Sequence, residues 1–334
     1  MRYKRLGKTG IKVSEYGLGT WAMGGGAYGI TDDDESIRTI HRAQERGITF
    51  LDTAPMYGHK VDGRSETVCG RALRGRRDKW ILSTKFGRSL TLDGNAKSTI
   101  VEDYSNKRIM ESTETSLDRL QTDYLDVLFV HTPTPDQPGL FNPEEAFSTM
   151  TRLKTQGKIR AVGFSFHLYA GSWIEQIEPF LRSGVIDVVQ VGISLMLPEP
   201  IDNLLPIIKE TDTGFVARES LANGFLTDSF TIEGPFNAGD PKANLPKERI
   251  QEKLNKANQF KFLLDLSPGI SSLPEAALHW TVSMPEVSTV IPGAKNIEEL
   301  EQCIRAADAE PFEQATMNEI RDIQNTWGDW KIYG

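Results

Sequence analysis

The sequence predicts a (β/α)8 TIM barrel, and three observations carry that expectation. Strand-like and helix-like segments alternate along the chain as eight strand-then-helix units. The strand segments, such as LDVLFVH at 125–131 and VIDVVQV at 185–191, are mostly apolar on both faces, as strands buried in a parallel sheet must be. No linker or break in composition divides the 334 residues, so one barrel domain over 1–334 is expected.

Residues 3–13 read as a short N-terminal β-hairpin, with Lys8-Thr9-Gly10 as its turn. The first barrel strand follows near Tyr16 to Gly19, and then a glycine-rich loop, GTWAMGGGAYG. A helix opens near Asp33, where Thr31 and Asp34 fit a capping box and acids crowd the first turn. Gly47 ends it. The second strand is 48–51 and its helix 65–74; the third strand is 80–85, followed by a loop. A helix over 105–121 puts Ile109, Thr113, Leu117 and Leu120 on one face. The fourth strand, 125–131, leads to a helix opened by Pro143 and ended by Gly157. Strands 159–165, 185–191 and 213–219 alternate with helices 171–183 and 199–211. The polar, Pro/Gly-rich stretch 228–246 reads as a loop, ahead of helical patterns to about 265 and at 274–283. The last strand is 287–293, and its helix opens at Asn296 as N-cap with Glu299 three residues on. A final segment, 313–327, is an extra C-terminal helix.

Composition removes several function classes. The net charge of −8 and pI near 5.3 argue against a nucleic-acid partner. The longest apolar run is about seven residues near Leu125 to Val130, whereas a membrane span needs roughly 20. Cys69 and Cys303 are far apart and lack metal-ligand spacing, which fits a reduced, cytoplasmic setting without a metal site. No apolar stretch follows MRYKRLGKTG, so no signal peptide is expected.

In a (β/α)8 barrel the active site lies at the C-terminal ends of the strands. Successive strand ends here carry Asp52 and Tyr57, then Lys85, then His131. The later strands bring Ser165 and His167, Gln190, Arg218 and Glu219, and finally Pro292, Gly293 and Lys295. Singly, each has an ordinary reading: Lys85 as a surface lysine, His131 as a loop cap, Asp52 as a backbone acceptor. Four titratable groups at consecutive strand ends fit proton transfer better. A free tyrosine, with a pKa near 10, is a weak acid at neutral pH; an adjacent Lys85 ammonium would lower it. Asp52 would hold Lys85, and His131 would donate to a carbonyl oxygen while hydride reaches carbon. His41 and His59 read as solvated. GLGTWA at 17–22 matches a dinucleotide-binding fingerprint in form only, because its helix starts near Asp33 and not at once.

The segments GLGTW (17–21), FLDTAPMYG (50–58), ILSTKFG (81–87), DVLFVHTP (126–133), IRAVGFS (159–165), VVQ (188–190), SLANGFLT (220–227) and VIPGAKN (290–296), in this order, resemble the aldo-keto reductase family. The likeness is to its bacterial-type members, near the potassium-channel β-subunit-like branch, and covers nearly the whole chain. It implies a tetrad of Asp52, Tyr57, Lys85 and His131, with Tyr57 as general acid. It also implies a nicotinamide cofactor, NADP(H) favoured and NAD(H) possible. Thr20, Trp21 and Asp52 would line its pocket, and Ser165 and Gln190 would hold the carboxamide. Arg218, Glu219, Ser220, Leu221, Ala222 and Gly224 would meet the nicotinamide and pyrophosphate. Pro292, Gly293, Lys295, Glu299, Gln302 and Cys303 would meet the adenosine end, Lys295 taking the 2′-phosphate. Substrate would touch Trp21, Tyr57, Phe86, Arg88 and His131, with Met23 and His167 nearby. Four positions depart from the family's frequent residues: Phe166 for Asn, Arg218 for Tyr, Glu299 for Arg or Gln, and Cys303 for Asn. The expected activity is reduction of an aldehyde, ketone or sugar carbonyl, or oxidation of the matching alcohol. The alternative is an NADP(H)-binding regulatory protein or sensor with little turnover.

Overall fold

The computed structural model describes residues 1–25, 29, 31–58, 61–92, 98–134, 139–168, 173–228, 230–234, 244–266 and 269–327. The chain opens with an antiparallel hairpin, β1 (Tyr3–Arg5) and β2 (Lys12–Ser14), with Tyr3 opposite Ser14. Next come β3 (Leu18–Gly19), α1 (Asp33–Glu45), β4 (Phe50–Asp52), α2 (Arg64–Leu73) and β5 (Ile81–Phe86). A second antiparallel hairpin follows, β6 (Arg88–Leu92) and β7 (Ser98–Glu102), where the sequence predicts only a loop. No residue of either strand is fully buried, so no buried face marked them in the sequence.

The alternation resumes with α3 (Asn106–Leu120), β8 (Leu125–His131), α4 (Pro143–Thr155), β9 (Ile159–Phe166), α5 (Ile174–Arg182) and β10 (Val188–Gly192). The single helix expected over 199–211 is two, α6 (Glu199–Asn203) and α7 (Leu205–Thr211). The break falls at Leu204, two residues before Pro206, whose missing N–H cannot continue a helix ladder. Then come β11 (Gly214–Arg218), α8 (Lys247–Asn258), α9 (Leu273–Ser283), β12 (Thr289–Val290), α10 (Ile297–Ile304) and α11 (Gln314–Asn325).

Among the described residues, eight parallel strands run in the order β3-β4-β5-β8-β9-β10-β11-β12. The ring closes because Gly17 N donates to Val290 O at 2.7 Å and Gly19 N to Pro292 O at 2.9 Å. Strand pleating divides the apolar residues between two cores. Phe50, Val127, Phe129, Ala161, Val188 and Val216 fill the barrel interior, joined from below by Leu6, Ile11 and Val13 of the first hairpin region. Leu51, Leu82, Leu128, Val130, Val162 and Phe164 face outward under the helices. This is why the strands read as apolar on both faces. Close packing also needs Gly163, where a Cβ would come within 2.3 Å of the Phe129 ring.

Side-chain oxygens of Asp32, Ser105, Asn142 and Asn296 cap α1, α3, α4 and α10, Asn296 as the sequence suggests and α1 with a shift. Asp32, not Thr31, caps α1, accepting from Glu35 N at 2.7 Å; the Thr31 hydroxyl donates to Met23 O. Among the described residues, no helix is long and apolar enough to cross a membrane, and no cluster of three or more His, Cys, Asp or Glu is placed to hold a metal.

Candidate active site

Asp52 is the last residue of β4 and Lys85 the fifth of β5, both turned toward the barrel axis and 1% exposed. Lys85 Nζ lies 2.6 Å from Asp52 Oδ2 and donates to Thr53 O at 2.9 Å. Asp52 Oδ1 accepts from Ser83 Oγ and from Gln190 Nε2, each at 2.8 Å. Both carboxylate oxygens accept hydrogen bonds, so this buried pair does not leave either charge alone. Burial pulls the Lys85 ammonium down, but Asp52 and Tyr57 outweigh it, and Lys85 stays a cation.

Tyr57 stands on the loop after β4, with the Lys85 ammonium 4.7 Å from its ring centroid. Trp21 flanks it at 6.2 Å and His131 edge-on at 5.9 Å. Burial raises the Tyr57 phenol above its ordinary value; Lys85 opposes this without reversing it. The expected net lowering is therefore corrected. Tyr57 holds its proton at neutral pH, and Lys85 stabilises the phenolate only after that proton leaves. His131, at the end of β8, is held well below its ordinary value by burial and by the Lys85 charge, so its ring is neutral and carries one N–H. Its Nδ1 is buried without a partner among the described residues, and its carbonyl accepts from Tyr104 Oη at 2.9 Å.

These groups face a cavity of about 480 Å³ at the C-terminal rim of the barrel. That is ample for a small ligand. Its wall includes Trp21, Asp52, Tyr57, Arg88, His131, Ser165, His167 and Gln190. It continues through Arg218, Glu219, Ser220, Leu221 and Gly224 to Pro292, Gly293, Lys295 and Glu299. Other expected residues stand elsewhere. Thr20 lies beneath the wall, its Oγ1 donating to Asp52 O at 2.9 Å. Ala222 and Met23 are buried behind the wall, and Gln302 is exposed on α10. Cys303 is buried in the core under the helices. Phe86 is the clearest correction for substrate contact: it points outward from β5 and packs edge-on against Tyr104 at 6.4 Å. Strand alternation explains it, because Lys85 points in and its neighbour must point out. His41, expected in solvent, is half-buried with Nε2 2.9 Å from Ala72 O, and His59 lies outside the described residues.

Two buried polar atoms on this wall, Gln190 Oε1 and Ser220 Oγ, have no hydrogen-bond partner among the described residues. Such atoms are costly unless a ligand or water satisfies them. The segment beside them carries left-handed φ at Glu219, Ala222, Asn223 and Gly224 (58°, 48°, 55° and 96°), a strained turn of the kind that accompanies binding sites. A Cβ on Gly224 would meet nothing within 4 Å, so its backbone is open to an approaching group. At the far end, Glu299 Oε2 accepts from Lys295 N at 3.0 Å and Oε1 lies 3.8 Å from Lys295 Nζ. These features fit a long polar ligand such as a nicotinamide dinucleotide.

Sequence reasoning missed Glu102, Tyr104 and Thr134. Glu102 Oε1 accepts from Arg88 Nε at 3.0 Å, Arg88 Nη2 at 2.6 Å and Thr134 Oγ1 at 2.7 Å. Its Oε2 accepts from Thr134 N at 3.1 Å. This ties the second hairpin to the loop after β8. The available signal was Asp93-Gly94, a turn dipeptide between RSLTL and STIVE.

The model of the aldo/keto reductase family matches residues 15–325. The chain belongs to the aldo-keto reductase family. The aldo-keto reductase YhdN of Bacillus subtilis (strain 168) is 36% identical over 306 residues, which is 90% of this chain and 87% of that one. An NADH-specific methylglyoxal reductase of Escherichia coli (strain K12) is 29% identical, covering 90% of this chain and 92% of its own. Among solved structures, the glycerol dehydrogenase AKR11B4 from Gluconobacter oxydans superposes with a TM-score of 0.80 at 27% identity, covering 95% of this chain and 93% of that one. This aldo-keto reductase is thus an oxidoreductase on a TIM barrel, from a family that uses nicotinamide cofactors.

Proposed function

We propose that this family member reduces an aldehyde, ketone or sugar carbonyl with NAD(P)H, or oxidises the matching alcohol, with Tyr57 as the general acid. The observation that carries the reading is the buried Asp52–Lys85 pair under a protonated Tyr57, with neutral His131 edge-on to the same ring. When bound, the dihydronicotinamide supplies the hydride. His131 donates its N–H to the carbonyl oxygen and orients it. Tyr57 gives that oxygen its proton, and the Lys85 cation stabilises the phenolate left behind. Ser165, Gln190 and Ser220 offer the polar contacts for the carboxamide and pyrophosphate. The relatives' activities, methylglyoxal reduction and glycerol oxidation, are the two directions of such chemistry and support the reading.

Lys295 favours the 2′-phosphate of NADP(H), and Glu299 beside it opposes that preference. NADP(H) is the proposed main cofactor, with NAD(H) also accepted. The test is aldehyde-dependent oxidation of NADPH and NADH, measured beside direct binding of each cofactor. Turnover on methylglyoxal or glyceraldehyde supports a reductase. Tight cofactor binding with no turnover across a broad carbonyl panel would favour the regulatory reading instead.

A further inference from the structure

We propose that the substrate of this reductase carries an anionic oxygen group, carboxylate or phosphate, at the end away from its carbonyl, and that Arg88 selects it. This deepens the reductase reading above and rests on it.

β5 leaves the barrel at Phe86, and Gly87 turns the chain with φ 105°. No other residue fits there, because a Cβ would lie 1.9 Å from the Tyr104 ring. The turn delivers the Arg88 guanidinium to the cavity wall. Glu102, directly opposite in the hairpin, takes Nε and Nη2 and fixes the plane of the fork. Glu102 is itself held by Thr134 and does not line the cavity. The Tyr104 phenol also lies close to the guanidinium, whose charge favours its ionised form, and the Arg88 hydrogen bonds to Glu102 use Nε and Nη2 and not Nη1. One edge of a rigid guanidinium is therefore anchored behind the wall, and the other is left to a ligand.

The other charges on the wall have charged neighbours of opposite sign. Lys85 pairs with Asp52, and Lys295 sits beside Glu299. Arg218 pairs with Glu219 and donates to Phe166 O at 3.1 Å and to a ring nitrogen of His167 at 3.0 Å. Burial, Arg218 and Arg88 push His167 down to about 2, so it is neutral and adds no competing charge. Each wall carboxylate thus sits next to its own cation, and the carboxylate nearest to an anion arriving at Arg88 is Glu102, which holds the far edge of the guanidinium.

The experiment compares substrates that differ only in charge. One pair is succinic semialdehyde and its uncharged ester, methyl 4-oxobutanoate. The other is glyceraldehyde 3-phosphate and glyceraldehyde. Each is assayed with wild type, Arg88→Gln and Arg88→Lys. The expected result is at least a tenfold higher kcat/KM for the charged member of one pair, which identifies carboxylate or phosphate. That advantage should shrink as salt is raised in wild type. It should fall below threefold in Arg88→Gln and be partly kept in Arg88→Lys. The salt series needs no variant, so a poorly folding Arg88→Gln leaves the test intact. Equal kcat/KM within both pairs in wild type would overturn the inference while leaving the reductase reading standing. Failure to reduce any of the four, with methylglyoxal also inert, would overturn both.

Discussion

Asp52 and Lys85 sit where either charge alone would be costly, and each is the main reason the other can be there. Lys85→Met leaves a buried carboxylate with only Ser83 and Gln190 as donors. We expect a loss of about 3–5 kcal/mol of stability, the usual result of breaking a buried pair, together with a large fall in kcat. Chemical denaturation and steady-state kinetics check the two effects separately. Unchanged stability would mean the pair is not the anchor of the site. At this scale the sequence was most informative about the rim. Asp52, His131, Ser165 and Gln190, at or near the C-terminal ends of their strands, line the cavity because strand direction forces them there. It was least informative about Phe86, Gln302 and Cys303. Their positions depend on one-residue phase within a strand or helix, and family likeness does not supply that phase.

The second hairpin shows what elements add. It is not part of the barrel, yet it brings Arg88 to the cavity and, through Glu102 and Tyr104, supports the loop that follows His131. Gly87→Ala should be damaging out of proportion to its size. It imposes a left-handed φ on a side chain and drives a methyl into Tyr104. Overpacking of this kind costs about 1–3 kcal/mol, and displacing Tyr104 should lower kcat as well as the denaturation midpoint. An unaltered kcat would show that the hairpin does not steady the site. The hairpin was illegible because neither strand has a fully buried face, whereas β8 announced itself through Val127 and Phe129 inside and Leu128 and Val130 outside. The cap of α1 was misread for a related reason: Thr31 and Asp32 are adjacent capping residues, and only the three-dimensional contact to Met23 removes Thr31 from the role.

At the scale of the molecule, barrel closure through Gly17 and Gly19 brings the first and last strands together, and with them Trp21 and Lys295 onto one rim. The number and order of the strand-helix units were readable because burial on both faces leaves a strong apolar signal. The same burial has a consequence for folding. His167 is driven from its ordinary value to about 2 in the folded protein, by burial first and then by Arg218 and Arg88. Below pH 6.5 the unfolded chain binds a proton there that the folded chain does not. Stability from this residue is therefore full above pH 6.5 and is lost as pH falls, by up to about 1.4 kcal/mol per unit. His167→Gln should flatten the fall in unfolding free energy between pH 6.5 and 5. Equal slopes for the two proteins would contradict the assignment.

The measurement closest to the central claim is kcat for carbonyl reduction by wild type and Tyr57→Phe, with cofactor affinity measured on both. Tyr57→Phe keeps the ring that packs between Trp21 and His131 and removes only the hydroxyl. The predicted result is a fall in kcat of roughly 10²–10⁴-fold with cofactor binding preserved, the size of a lost general acid. A variant that turns over at nearly the wild-type rate would contradict it and move the proton donor to another group on the rim.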